Sequence, residues 1–449
     1  MGIKACLLKV FLILSLSPCS SLFGQQVEMT KADTVQMLAR EFVTLLSKEE
    51  FTAAVKRFDP TVSAALPPAK LEGVWKSLLT QVGSLKRQLS TRAEVTLGYD
   101  VVFVSCEFDK SPLDVKVVFN NSKEIAGLFF VPTPPKLETP PPSASESSTD
   151  REVLIGEGQW ALHGTLSLPN AAGHYPAVVL VHGSGPNDRD ETIGPNKPFR
   201  DLAQGLTARG IAVLRYEKRT REHAIQLAPL KESLTVKEET IDDALLAASL
   251  LRRTDRVDPT KIFILGHSLG GMLIPRIGIL DSTVAGFIVM AGSSRALEDV
   301  ILDQVTYLFS LDGAMTEDKK AQLDAIKMQV ARVKEPTLSS ATPSSELPLG
   351  IPAKYWLDLR GYNPPEFAKG LKAPLLILQG ERDYQATMED FAGWKQRLSS
   401  KSNVTFKSYP KLNHLFIRGE GRSTPSEYNV PGQVATEVIA DIASWIKGI

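Results

Sequence analysis

Residues 262–273 read IFILGHSLGGML. A short apolar run stops at Gly266-His267-Ser268-Leu269-Gly270, and a second apolar stretch follows. Glycine and serine are both common, so the pattern alone is a weak signal. Its context is more demanding. Lys261 to Leu265 is a continuous apolar run of the length of a strand buried on both faces. Leu269 to Leu280 can continue as a helix, with Gly270 and Gly271 allowing close packing. Strand, turn and helix in that order are what a nucleophile elbow requires, a strained turn that lifts a serine hydroxyl into a pocket; a tight turn that only happens to contain serine is the alternative.

A serine hydroxyl needs a base. The chain has six histidines, and His414, in YPKLNHLF, alone follows Ser268. It comes after the last strand-like run, VTFKSYP. The base needs an acid to orient it. Asp383 ends PLLILQGERD, a buried run followed by a loop. Glu381 is the close competitor, and Asp390 sits in a helical stretch. Developing negative charge needs backbone donors. Leu269 N–H follows the nucleophile directly, and His182-Gly183-Ser184-Gly185 after another buried run offers Ser184 N–H, with Gly183 next.

The remainder of the chain supplies a frame. From Arg151, strand and helix patterns alternate: the hairpin REVLIGEGQWALHGTLSLP, then PAVVLVHGSG, FRDLAQGLTARG and IAVLRYEKR, and a helix opened by the capping-box pattern Thr235 to Glu238. VAGFIVMAGSS, APLLILQGERD, VTFKSYP and a terminal helix through Trp445 complete it. This order predicts a doubly wound α/β domain over 151–449. Residues 295–365 interrupt it with a mostly helical insert, expected to cap the strand ends; VILDQVTYLFSL and YWLDL, with Tyr307 and Tyr355, offer apolar surface for an acyl chain or for core packing. Gly156-Glu-Gly158-Gln-Trp-Ala161 resembles a dinucleotide fingerprint only loosely, because a strand follows it.

Ahead of this lie a helical region (30–82) and alternating strands (84–131), which predict a small α+β domain over 28–131, read as a packing, binding or oligomerising module. PTPPKLETPPPSASESSTD (132–150) reads as a Pro/Ser-rich linker. Lys4 and Lys9 flank an apolar stretch too short to span a bilayer, followed by small residues; residues 1–24 read as a signal peptide, and the protein as exported, periplasmic or secreted. Lipidation at Cys19 is the alternative, against which Pro18 counts. Cys6 and Cys19 lie in that segment, so the mature chain keeps Cys106, in the apolar run VVFVSCEF. Lys+Arg and Asp+Glu both number 51, which argues for neither nucleic acid nor an anionic membrane as partner.

The set HGSGPNDRDETIGPNKPFRDLA, VLRYEKR, GHSLGG, QGERD and NHLF resembles the α/β-hydrolase superfamily, specifically exported bacterial carboxylesterases near the serine aminopeptidase and prolyl-oligopeptidase branches. The N-terminal part resembles NTF2-like or cystatin-like domains of unknown function that precede such hydrolases. The resemblance implies a mostly parallel sheet with a helical cap and a serine esterase acting on a small-molecule ester. Its triad would be Ser268, Asp383 and His414 and its oxyanion donors Leu269 and Ser184, with no metal, cofactor or membrane span. The loop PNDRDETIGPNKPF and the RYEKR strand end would rim the pocket or face solvent. A peptidase on the same frame uses the same parts, and a non-catalytic binding protein on this scaffold is the third reading.

Overall fold

The computed structural model describes residues 31–96, 99–110, 112–132, 148–311, 313 and 315–449. The segment read as a signal peptide, with Cys6 and Cys19, lies outside the described residues, as does most of the segment read as a linker. The chain divides into two compact units, Met1–Thr133 and Pro134–Ile449.

In the first unit, helices Lys31–Ser47, Phe51–Val55, Pro60–Ala65 and Pro68–Val82 precede a four-stranded antiparallel meander. Its strands are β1 (Leu85–Thr96), β2 (Tyr99–Phe108), β3 (Pro112–Phe119) and β4 (Ile125–Pro132). The strands alternate because one face is dry. Val102, Val104, Cys106, Val115 and Val117 pack against Phe42, Leu46, Leu71 and Trp75 of the helices. Cys106 is buried there, and burial first, then the nearby Asp114 charge, pushes its thiol up to about 12. It is a packing residue and not a nucleophile.

The second unit is built on an eight-stranded sheet in the order β12-β11-β10-β9-β7-β8-β6-β5. The strands are β5 (Ser148–Ile155), β6 (Leu162–Pro169), β7 (Tyr175–Val181), β8 (Ala212–Tyr216), β9 (Val257–His267), β10 (Gly286–Met290), β11 (Leu375–Gly380) and β12 (Val404–Tyr409). β6 runs antiparallel to β5 and β8; from β8 through β12 every pairing is parallel. The apolar runs are continuous because helices cover both faces. Val179, Val181, Ile264 and Ile377 face one core, with Ala247, Leu251, Leu273 and Trp394 from the helices Asp242–Arg252, Leu269–Leu280 and Met388–Leu398. Val178, Leu180, Leu265 and Leu378 face the other, with Leu202, Leu206, Ile439 and Ile442 from the helices Pro198–Thr207 and Thr436–Gly448. This is the doubly wound α/β sheet that the sequence pattern predicts and the mostly parallel architecture that the resemblance to α/β-hydrolases implies, with the chain switching helices from face to face.

Three details refine the sequence reading. The hairpin begins at Ser148 and not Arg151: Thr149 and Asp150 already pair with Leu168 and Ser167, and the Ser167 hydroxyl donates to the Asp150 carboxylate. At the capping box, the Glu238 carboxylate accepts the Thr235 N–H (3.1 Å), but the first turn is a π-turn over Lys237–Ile241, continuing as the helix Asp242–Arg252. The third concerns the insert between β10 and β11. Its helix Leu297–Leu311 lies by the Asp383 loop: Tyr307 stacks on Tyr384 (4.9 Å between ring centroids) and donates to Ser423 O. Tyr355, Trp356 and Leu359 instead turn inward; Tyr355 and Leu359 join the main core, and the Tyr355 hydroxyl donates to Glu239. Core packing, and not acyl surface, is therefore the role of YWLDL.

Each unit holds its own hydrophobic core. A fragment comprising residues 134–449 is therefore expected to fold alone and unfold cooperatively, with a thermal midpoint within a few degrees of the corresponding transition in the full chain. An insoluble or non-cooperative fragment would show that the first unit completes the second.

Candidate active site

Four loops that leave the same ends of parallel strands of one sheet carry the candidate residues. The turn after β9 carries Ser268 at φ 53° and ψ −116°, a left-handed backbone that costs a non-glycine residue about 1–3 kcal/mol. The turn is held by packing that only glycine permits. A Cβ on Gly266 would lie 2.3 Å from Gly270 O, and one on Gly270 would lie 2.5 Å from Val181 O. Ser268 N–H donates to Met290 O (3.0 Å), anchoring the elbow to β10. Ser268 also heads the helix Leu269–Leu280, so Leu269 N–H is among the amides that a helix start leaves without an intrahelical partner.

His414 and Asp383 come from the loops after β12 and β11, and both are buried. His414 Nδ1 lies 2.7 Å from Asp383 Oδ2. The other oxygen, Oδ1, accepts the N–H groups of Gln385 (2.7 Å) and Ala386 (3.2 Å), and Gln379 Nε2 donates to Oδ2 (3.2 Å). These bonds fix the carboxylate so that one oxygen faces the imidazole. The His414 loop is itself pinned. Asn413 Oδ1 accepts from Leu415 N and Ile417 N, and Arg382, beside Asp383, is paired with Glu427. The competing carboxylates are occupied elsewhere. Glu381 accepts the Ser408 hydroxyl, while Asp390 gathers Ser293, Ser294 and Arg295 where the insert begins.

The loop after β7 brings Gly183 against the nucleophile: a Cβ on Gly183 would sit 3.0 Å from Ser268 Cβ and 3.5 Å from its Oγ. Gly183 N–H is already donated to Glu191 Oε1 (2.6 Å), which leaves Ser184 N–H as this loop's candidate donor.

Several charges of the two segments turn inward, which a wholly solvated surface does not explain. Asp190, Glu191, Arg215 and Lys218 are all buried. Asp190 pairs with Arg215, Lys197 and Arg200, and Arg219 with Asp243. Lys218 pairs with Glu239 at 2.6 Å. Glu191, at φ 52°, meets His267 Nδ1 through its second oxygen at 2.9 Å, and the far nitrogen of His267 lies 3.0 Å from His414 O. Burial penalises both charges of the Glu191–His267 pair, but their attraction outweighs it. With His182 also contributing, Glu191 is held below its ordinary 4.5; with Asp383 also contributing, His267 is held above its ordinary 6.5. His182, by contrast, is pushed down to about 4 by burial, and its neutral ring donates to Asp188 O. Glu191, His267, Lys218 and Glu239 were not singled out in the sequence. The available signal was the density of charges directly after two buried strands.

The pair links stability to pH. The raised His267 contributes stability that is full below about 6.5 and is lost as pH rises through its higher folded value. The lowered Glu191 contributes stability present above about 4.5 and lost as pH falls through its lower folded value. Glu191→Gln keeps an acceptor for Gly183 N–H but removes the charge. At pH 6 it is expected to cost about 3 kcal/mol, an order-of-magnitude figure for breaking a buried pair, and the deficit is expected to narrow by pH 9. Urea unfolding at the two pH values measures this; a deficit of equal size at both would contradict the charged pair.

With this geometry in hand, the chain can be set beside known proteins. Residues 178–422 match the family described as "Alpha/beta hydrolase family", and residues 39–128 match "Protein of unknown function (DUF3887)". Esterase EstD of Thermotoga maritima is 38% identical over 406 residues, covering 90% of this chain and 93% of that one. Among solved structures, Est1E from Butyrivibrio proteoclasticus is 14% identical with a TM-score of 0.44, covering 66% of this chain and 99% of that one. A hyperthermophilic esterase from the archaeon Pyrobaculum calidifontis is 17% identical with a TM-score of 0.42, covering 68% and 88%. The family match over more than half of the chain and the near full-length kinship to EstD lead to one conclusion: this chain belongs to the alpha/beta hydrolase family.

Proposed function

We propose that the chain is an exported serine esterase that cleaves carboxylic esters of small molecules through an acyl-enzyme. The observation that carries this is the left-handed elbow at Ser268, in the same parallel sheet as the strands whose loops bring His414 and Asp383 to 2.7 Å of one another. Kinship to a protein named as an esterase supports the ester as substrate. Export rests on the basic and apolar character of residues 1–24.

In this mechanism His414 Nε2 takes the proton from Ser268 Oγ while Oγ attacks the ester carbonyl carbon. The carbonyl π pair moves to oxygen, and Leu269 N–H and Ser184 N–H receive the oxyanion. Asp383 holds the Nδ1–H tautomer and favours the imidazolium. As the oxyanion collapses, the bond to the leaving alkoxide breaks and His414 gives it the proton. Water, deprotonated by His414, then attacks the acyl-enzyme; as the second oxyanion collapses, the bond to Ser268 Oγ breaks, His414 returns the proton to Oγ, and the released acid ionises to the carboxylate. An apolar acyl pocket would discriminate by only about 1–3 kcal/mol per methylene, so chain-length preference is expected to be graded.

Ser268→Ala is expected to lower kcat by roughly 10⁴ or more without changing the fold, and Asp383→Asn by a similar order, since the amide favours the wrong imidazole tautomer. Assays with p-nitrophenyl esters of graded acyl length, set against peptide p-nitroanilides, measure both the losses and the substrate class. More than a tenth of wild-type activity in Ser268→Ala would contradict the assignment. A kcat/KM for anilides above that for esters would move the reading to a peptidase.

A further inference from the structure

The peptide between Gly183 and Ser184 is gripped from one side by a buried cation. Gly183 O accepts from Lys218 Nζ at 2.7 Å, and from Asn187 Nδ2 at 3.2 Å. In a trans peptide the C=O of one residue and the N–H of the next point in opposite directions within one plane. Fixing Gly183 O therefore fixes the direction of Ser184 N–H. The flanking peptide is also fixed, because Gly183 N–H donates to Glu191.

Lys218 stands just past the end of β8 and is 2% exposed. Keeping an ammonium there is costly unless it is paired. Glu239 lies at 2.6 Å from it, and Tyr355 donates to the other Glu239 oxygen at 2.6 Å. The arrangement is a buried chain: Tyr355 to Glu239, Lys218 to Glu239 and to Gly183 O, with Ser184 N–H at its open end. A neutral donor would satisfy Gly183 O as well, and Asn187 already does so. What a cation adds is charge. A charged donor on the carbonyl oxygen polarises the amide, strengthens its N–H as a donor and adds positive potential where an oxyanion would form. All three effects favour negative charge beside Ser184.

We propose that Lys218 is a positioning residue for ester hydrolysis: its ammonium holds the Gly183–Ser184 peptide with Ser184 N–H toward the reacting carbonyl and lends that donor positive charge. This rests on the serine-esterase reading above. It gives Glu239 and Tyr355 the task of keeping Lys218 charged and in place. A staple joining β8 to the loop would affect stability alone; an oxyanion support must also affect the tetrahedral state more than the bound ester.

The test uses the full chain carrying Lys218→Met, Lys218→Met with Glu239→Gln, and Lys218→Arg. The double variant leaves neither member of the pair as an unpaired charge, so it carries the test if the single variant does not fold. Kinetics with p-nitrophenyl butyrate are measured beside inhibition by an alkyl trifluoromethyl ketone, whose adduct with serine carries an oxyanion. In the folded double variant, kcat is expected to fall about 10²–10³-fold with KM changed less than about threefold, and affinity for the ketone to fall by a similar factor. Lys218→Arg, which retains a cation, is expected to recover at least a tenth of wild-type kcat. A folded double variant with kcat within threefold of wild type would overturn the proposal. So would a loss of kcat with undiminished ketone affinity. Ser268→Ala is run alongside: activity retained there overturns the esterase site itself, whereas activity lost there and kept in the double variant overturns only the role of Lys218.

Discussion

The buried pair between Glu191 and His267 is the contact on which the site's assembly turns. Glu191 holds Gly183 N–H with one oxygen and His267 with the other; His267 in turn reaches the backbone oxygen of His414. One carboxylate thereby joins the loop after β7, the elbow after β9 and the loop after β12. Two unscreened charges in a dry interior would be unfavourable apart; together they form a link that none of the three loops can leave alone. Glu191 accepts a left-handed backbone to make this contact, and the strain is local to the place where the loops meet.

The sheet makes such a link possible. β7, β9, β10, β11 and β12 run parallel, so the turns that follow them open at one edge. Rigid strands fix where each loop starts, and buried polar contacts fix where it ends. Glu191 and Lys218 act on opposite sides of Gly183, one on its N–H and one on its C=O. Asp390 does comparable work after β10, gathering Ser293, Ser294 and Arg295 where the insert begins. At these points buried polar groups meet partners distant in sequence.

Much of the frame was legible in the sequence because it depends on local pattern. Continuous apolar runs marked strands covered on both faces, and the glycines around Ser268 marked a turn without room for a Cβ. His414 stood out by following the last strand, and Asp383 by closing the run that includes the strand before it and the start of its loop. The buried charges were not legible. Asp190, Glu191 and Lys218 sit in segments that read as pocket rim or solvated surface, and only the fold reveals that Arg215, His267 and Glu239 wait opposite them. Tyr355 stayed open between acyl surface and core packing for the same reason. An aromatic residue in a helical insert has no sequence mark that separates lining a pocket from reaching inward to a buried carboxylate.

The central claim, that Ser268 is the nucleophile of an assembled triad, is tested most directly by covalent capture. The full chain is treated with a stoichiometric fluorophosphonate, and intact mass, peptide mapping and residual esterase activity are followed together. The account predicts one phosphonyl group per chain, carried by Ser268, with activity lost in proportion to labelling. Full activity after complete labelling, or an adduct on another residue that abolishes activity while Ser268 stays unmodified, would contradict it.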